Sequence, residues 1–258
     1  MSATKRLILG IGHPLRQDDR AGLAVAERLA ADPPTGFAIV THHGEGAGLI
    51  ELWQEAEQAI VVDAVASGGV PGTLHVIDGA AGPLPSALIA HSSHAFGLAQ
   101  AIEMARALER LPARFDILGI EGQAFGHGEI MSPAVQDGVG RAEAVIRREL
   151  AAPVFDRSRL QAMLGPDSAE IARLIALFRG SAAALVESLL ATRTPPSDFE
   201  GHAHRLAGAA LNAGAGELAG LARRLMETPS TDRKMAAVRL QAAWRRLEAA
   251  LVEPPGGE

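Results

Sequence analysis

The chain contains no cysteine. Disulfides, thiolate zinc sites and cysteine nucleophiles are thereby excluded together. Positive charge is not in excess either: 24 Lys and Arg stand against 30 Asp and Glu, a formal net charge of -6. Binding to nucleic acid normally demands a basic face, so no nucleic-acid partner is expected. No apolar run approaches the ~20 residues that span a bilayer, and no membrane partner is expected. The opening MSATKRLILGIG carries a basic pair and an apolar run, but that run stops at Gly12, His13 and Pro14. It is too short for the apolar core of a signal peptide, and a cytoplasmic protein is expected.

What is present fits a soluble globular protein: 258 residues, 48% hydrophobic and 21% charged, enough for one large domain or two small ones. Up to about residue 150, strand-like and helix-like segments alternate. LILGI (7–11), FAIVTHHG (37–44), AIVVDAV (59–65), TLHVID (73–78) and FDILGIEG (115–122) read as strands. TLHVID alternates in character, as an edge or half-exposed strand would. Helix patterns cover 22–31, 49–56, 96–111 and 133–150. Such interleaving predicts a mostly parallel sheet flanked by helices, of the phosphorylase or hydrolase-like kind.

After AAPVFD (151–156) no strand is apparent. Helix patterns occupy about 157–164, 168–192, 198–213, 216–227 and 231–252, predicting an all-α four-helix bundle. Ser197 and Glu200 have the spacing of a capping box. The boundary falls near 152, giving domains 1–152 and 153–258.

The stretch GHPLRQDDRAG (12–22) sits where a strand turns into a helix, a common place for a phosphate cradle. A dinucleotide fingerprint needs three glycines, and after Gly10 and Gly12 no glycine follows until Gly22. Asp18 and Asp19 would repel a pyrophosphate. Carboxylates complement the positive end of a helix dipole, so Asp18 reads as the helix cap. Asp63 stands at the carboxyl end of a buried strand, the edge where open α/β sheets place ligands. A carboxylate there must be paired, hydrogen-bonded or bound to a cation. His94 opens a later helix after a Ser-Ser turn. Two carboxylates and an imidazole, if they converge, suit a borderline divalent ion such as nickel or zinc.

The segments LILGIGHPLRQDDRAG, AIVVDAV with PGTLHVID, HSSHAFGLAQAI and ILGIEGQAFGHGEIMSPAV resemble, in order, the serial motifs of the NiFe-hydrogenase maturation endopeptidases. The resemblance covers nearly all of residues 5–150. It implies an endopeptidase that removes a C-terminal extension from the nickel-loaded precursor of a hydrogenase large subunit. Matched motif to motif, the nickel-contacting positions fall on Asp19, Asp63 and His94, with Asp19 and Asp63 as the catalytic carboxylates. The resemblance also implies that nickel arrives with the substrate, with no resident cofactor.

His13 replaces the family's usual asparagine and Gln17 a common glycine; His13 is expected to serve the turn locally. His42 and His43, ahead of Gly44, Gly46 and Gly48, read as part of a solvated glycine-rich loop. Ser92 and Ser93 read as turn or cap residues beside His94, because no G-x-S-x-G elbow exists to expose a serine nucleophile.

In the second half, AHRLAGAALNAGAGEL (203–218) places His204 and Gly208 on one helix face. With the preceding long helix pattern, it resembles the histidine phosphotransfer domain: Ala203, His204, Leu206, Gly208, Asn212, Gly214, Ala215 and Leu218 are in register. That implies phosphorylation at His204 and a response-regulator receiver domain or hybrid kinase as partner. Ala207 stands where the family has a lysine beside the phosphoryl group; either a cation on the partner, Arg179 or Arg223 compensates, or transfer is weak, or the bundle has lost phosphotransfer and only docks partners. The alternative reading is a signalling protein whose peptidase-like domain serves only to bind a metal or a partner.

Overall fold

The computed structural model describes residues 6–80, 82–84, 97–166, 168–191, 196–227 and 233–252. Two compact units are present, Met1–Val145 and Ile146–Glu258. The second unit takes in residues 146–152, ahead of the boundary read near 152.

In the first unit, β1 (Arg6–Ile11), β2 (Phe37–His42), β3 (Gln58–Val65), β4 (Leu74–Asp78) and β5 (Arg114–Glu121) form one sheet. Its order is β2-β1-β3-β5-β4. β1 pairs in parallel with β2 and β3, and β3 with β5, whereas β4 runs antiparallel to β5 at the edge. The uninterrupted apolar runs of β1, β3 and β5 are what two covered faces require. The edge position of β4 matches its half-buried pattern.

Helices α1 (Ala21–Ala31), α2 (Gly46–Trp53), α3 (Leu98–Ala107) and α4 (Pro133–Val145) cover the sheet. One face buries Leu7, Leu9, Val61 and Phe115 with Trp53 and Ile102. Trp53 meets Phe115 edge to face, with ring centroids 5.0 Å apart. On the other side, α1 lies directly on the sheet. A side chain at Gly22 would run into the carbonyl oxygens of Ile11 and Val62, so only glycine allows that approach.

The chain leaves β1, forms β2 on one side, and returns across β1 to form β3 on the other. The connections therefore diverge between the carboxyl ends of β1 and β3. A crevice at such a switch point is where open α/β sheets bind ligands.

The second unit begins with a π-helical turn, Ile146–Leu150, and continues with α5 (Arg157–Leu164), α6 (Ser168–Leu190), α7 (Pro196–Asn212), α8 (Gly216–Glu227) and α9 (Arg233–Val252). The described residues of this unit contain no strand. α6 packs on α7 and α9, and α8 packs on α7 and α9. Phe178, Leu206, Leu218, Leu240 and Trp244 are buried together among small alanines. The pair Arg246–Glu217 (2.6 Å) ties α9 to α8, and Arg224 pairs with Glu149 of the opening turn. α7 begins at Pro196, so Ser197 lies inside its first turn instead of preceding the helix. Among the described residues, no helix is long and apolar enough to cross a membrane.

Candidate functional site

The site is built on the turn after β1. Gly12, the first residue past the strand, has φ +146° and donates its N–H to the His42 carbonyl oxygen at 3.1 Å. A side chain at Gly12 would run into the Asp19 carbonyl oxygen, so this glycine allows the main chain of Asp19 to lie against the end of the strand. Residues Gln17–Arg20 form a single 3-10 turn that leads into α1. Asp19 stands in that turn, partly exposed.

Asp63 is the sixth residue of β3, paired with Gly119 of β5. Its Oδ1 accepts the N–H of Ala64 at 2.8 Å. Burial, and then the nearby Asp19 carboxylate, push its pKa up to about 7 from 3.8. Two carboxyl groups near each other cannot both ionise freely, and here it is Asp63 that keeps its proton. The structure thus brings Asp19 and Asp63 together at the switch point. His94, with His91, Ser92 and Ser93, lies outside the described residues. Among the described residues, no three His, Asp or Glu side chains gather to hold a metal ion.

Asp18 is not a helix cap. The 3-10 turn has no side-chain cap, and Asp18 is fully buried. Its Oδ1 accepts the Ser132 N–H at 2.6 Å. Its Oδ2 accepts Ser132 Oγ at 2.8 Å and the N–H groups of Gln123 and Ala124 at 3.0 and 2.9 Å. Burial alone would raise its pKa, but these hydrogen bonds outweigh it and hold the carboxyl below the usual range. The main chain adds to the seam. Gln17 and Asp18 donate to the carbonyls of Gly128 and Ala124, and Gly128 donates to that of Leu15. Gln17 adopts φ +49°, and its Oε1 accepts the Gly126 N–H at 3.1 Å.

A second buried carboxylate, Glu121, was not singled out from the sequence. It ends β5 and is fully buried; it accepts Ser67 Oγ (2.6 Å), His75 Nε2 (2.9 Å) and the Gly69 N–H (3.0 Å). It thereby fastens the loop after β3. Burial raises its pKa, and the hydrogen bonds from Ser67, His75 and Gly69 overcome that and lower it. Its signal was the one that flagged Asp63, a carboxylate at the end of an apolar strand.

Two imidazoles of the first unit accept local main-chain N–H groups. His13 is exposed, and its Nδ1 accepts the Leu15 N–H at 3.2 Å. His42 is not in a solvated loop: it ends β2, is half-buried, and accepts the Gly44 N–H on Nδ1 at 3.0 Å. It stacks on His43, centroids 4.6 Å apart, and burial, then His43, lower its pKa. Gly46 and Gly48 belong to α2, not to a loop. The Glu45 carboxylate caps that helix by accepting the N–H groups of Ala47 and Gly48, both at 2.9 Å.

In the second unit, α7 turns Ala203, Leu206, Ala207 and Ala210 into the core. It leaves Gly201, His204, Arg205, Gly208 and Asn212 exposed. Nothing lies within 4 Å of where a side chain would stand at Gly201 or Gly208. Arg179 is 3.8 Å from Glu248, and Arg223 is exposed on α8.

An open, mostly parallel α/β unit with paired carboxylates at its switch point is the class of protein defined by this geometry. The family described as HycI, hydrogenase maturation protease, matches residues 24–149. The hydrogenase expression/formation protein HupD of Rhodobacter capsulatus is 31% identical over 149 residues, covering 57% of this chain and 71% of HupD. Among solved structures, the hydrogenase maturating endopeptidase HybD from E. coli is 22% identical. That alignment covers 56% of this chain and 93% of HybD, with a TM-score of 0.49. The NiFe hydrogenase maturation protease HybD from Thermococcus kodakarensis is 25% identical, over 57% of this chain and 99% of that one, with a TM-score of 0.45. The chain belongs to the hydrogenase maturation protease family, through its first unit.

Proposed function

We propose that the first unit is an endopeptidase that removes a C-terminal extension from the nickel-loaded precursor of a NiFe-hydrogenase large subunit. The observation that carries this reading is the Asp19–Asp63 pair at the switch point, with one carboxyl holding its proton to about pH 7. A group titrating near the working pH is suited to take a proton from water and return it to a leaving amine. Asp63 fills that role, and Asp19 faces the substrate's cation. Nickel arrives as part of the substrate, where it polarises the scissile carbonyl or the attacking water. Asp19, Asp63 and His94 are its contacts on the enzyme, which keeps no resident cofactor. The mechanism is metal-assisted, carried by carboxylates and not by a serine or thiol nucleophile.

The test is to incubate the purified chain with nickel-loaded and nickel-free precursor and follow the size of the large subunit. Cleavage of the loaded form alone is expected. An intact loaded precursor, or equal cleavage of both, contradicts the reading.

For the second unit the proposal is a four-helix phosphotransfer bundle that accepts a phosphoryl group on His204 from a receiver domain or hybrid kinase. The supporting observation is that His204 stands exposed between two glycines, which leaves room for a partner to approach the imidazole. Labelled phosphoryl groups are expected to pass from a phosphorylated receiver domain to the wild-type chain. Equal labelling of a His204→Gln variant overturns the assignment.

A further inference from the structure

We propose that Asp18 is a positioning residue for the cleavage reaction, locking the 17–20 turn to the 123–132 segment and so fixing Asp19 beside Asp63. The proposal rests on the reading of Asp19 and Asp63 given above.

Asp18 is fully buried and reaches no substrate, so any effect on the reaction passes through its neighbours. A residue that merely ended a helix would accept N–H groups from its own turn. Asp18 accepts none of these; its four donors all come from Gln123, Ala124 and Ser132, more than a hundred residues away. The tie joins two connecting segments and not two core elements. β1 pairs with β3, β3 with β5, and α1 packs on α4 without it.

Asp19 is consequently held twice. On one side its main chain lies against Gly12, where no side chain fits. On the other, its neighbour in sequence is clamped by four hydrogen bonds, with the Gln17 and Asp18 N–H groups bonded to the same segment. An isolated 3-10 turn is a short, poorly bonded element that would otherwise relax. Fixing it beforehand removes the need to order Asp19 when substrate arrives. A displacement of ~1 Å in such a group costs on the order of 10²-fold in rate.

The experiment measures kcat and KM of the full chain on nickel-loaded precursor, per folded molecule, with the folded fraction taken from circular dichroism at the assay temperature. Asp18→Asn keeps the shape but replaces one acceptor oxygen with a donor. It is expected to lose on the order of 10²-fold in kcat with KM unchanged. Ser132→Ala removes one of the four bonds and is expected to show a smaller loss in kcat, again without a change in KM. Leu29→Ala, a core variant at the far end of α1, is expected to lower stability while keeping the wild-type kcat. If Asp18→Asn does not fold, Ser132→Ala decides alone. Wild-type kcat in the folded variants, alongside an inactive Asp19→Asn, overturns the positioning role and leaves the site intact. Wild-type cleavage by Asp19→Asn overturns the reading of the site itself.

Discussion

Asp63 keeps its proton to about pH 7 because desolvation of its carboxyl and then the nearby Asp19 carboxylate both disfavour the charged form. The consequence for stability has a definite sign. Below the ordinary value of 3.8 the group is protonated in folded and unfolded chains alike. As pH rises from there to about 7, the unfolded chain releases the proton and the folded chain does not, so stability falls. Above about 7 the loss is complete. Asp63→Asn removes this dependence. Its thermal midpoint relative to wild type is expected to be higher at pH 8 than at pH 4, as read by calorimetry at the two values. A difference independent of pH would show that Asp63 is not held protonated.

Glu121 behaves in the opposite sense. Its carboxyl is held below the ordinary 4.5, so its contribution is present above that value and is lost as pH falls through the lower, folded value. Glu121→Gln leaves Ser67, Gly69 and His75 sharing one acceptor fewer. The expected loss is about 2 kcal/mol at pH 7 in urea unfolding. The gap from wild type should narrow at acid pH. An equal gap at pH 3 and pH 7 contradicts the assignment.

Ala207 bears on the phosphotransfer proposal. The resemblance implies a lysine there, yet Ala207 is only 3% exposed and packs with Ala203, Leu206 and Ala210. Ala207→Lys therefore forces a long charged side chain into a packed interior. It is expected to destabilise the unit by roughly 1–3 kcal/mol, the usual range for overpacking. Thermal unfolding followed by helical circular dichroism measures the change. An undiminished midpoint with faster phosphoryl transfer would show that the helix turns this position outward.

Much of the architecture was legible because the strands are continuous apolar runs and the helices carry a clear period. Asp63 stood out as a carboxylate ending a buried strand, and Asp19 as one of a pair of carboxylates where a phosphate would sit. Asp18 was misread because its partners are remote: nothing near DDR in sequence announces Ser132. Glu121 gave the same local signal as Asp63, but its role depends on Ser67 and His75, which only the sheet brings to it. Gly46 and Gly48 read as loop residues because glycine is a poor helix former, and the Glu45 cap overcame that weakness. Gly12 and Gly22 were visible as glycines, while their use, room for Asp19 on one side and for α1 on the other, follows only from the packing.

The central claim is that Asp63 acts in the cleavage of a nickel-bearing precursor. The most direct measurement compares wild-type and Asp63→Asn chains on purified nickel-loaded precursor, at pH 7 and equal folded concentration, by the appearance of the shortened large subunit. The variant is expected to cleave more slowly by roughly 10²–10⁴-fold, the usual contribution of a positioned acid or base. Cleavage at the wild-type rate would remove Asp63 from the chemistry and contradict the account.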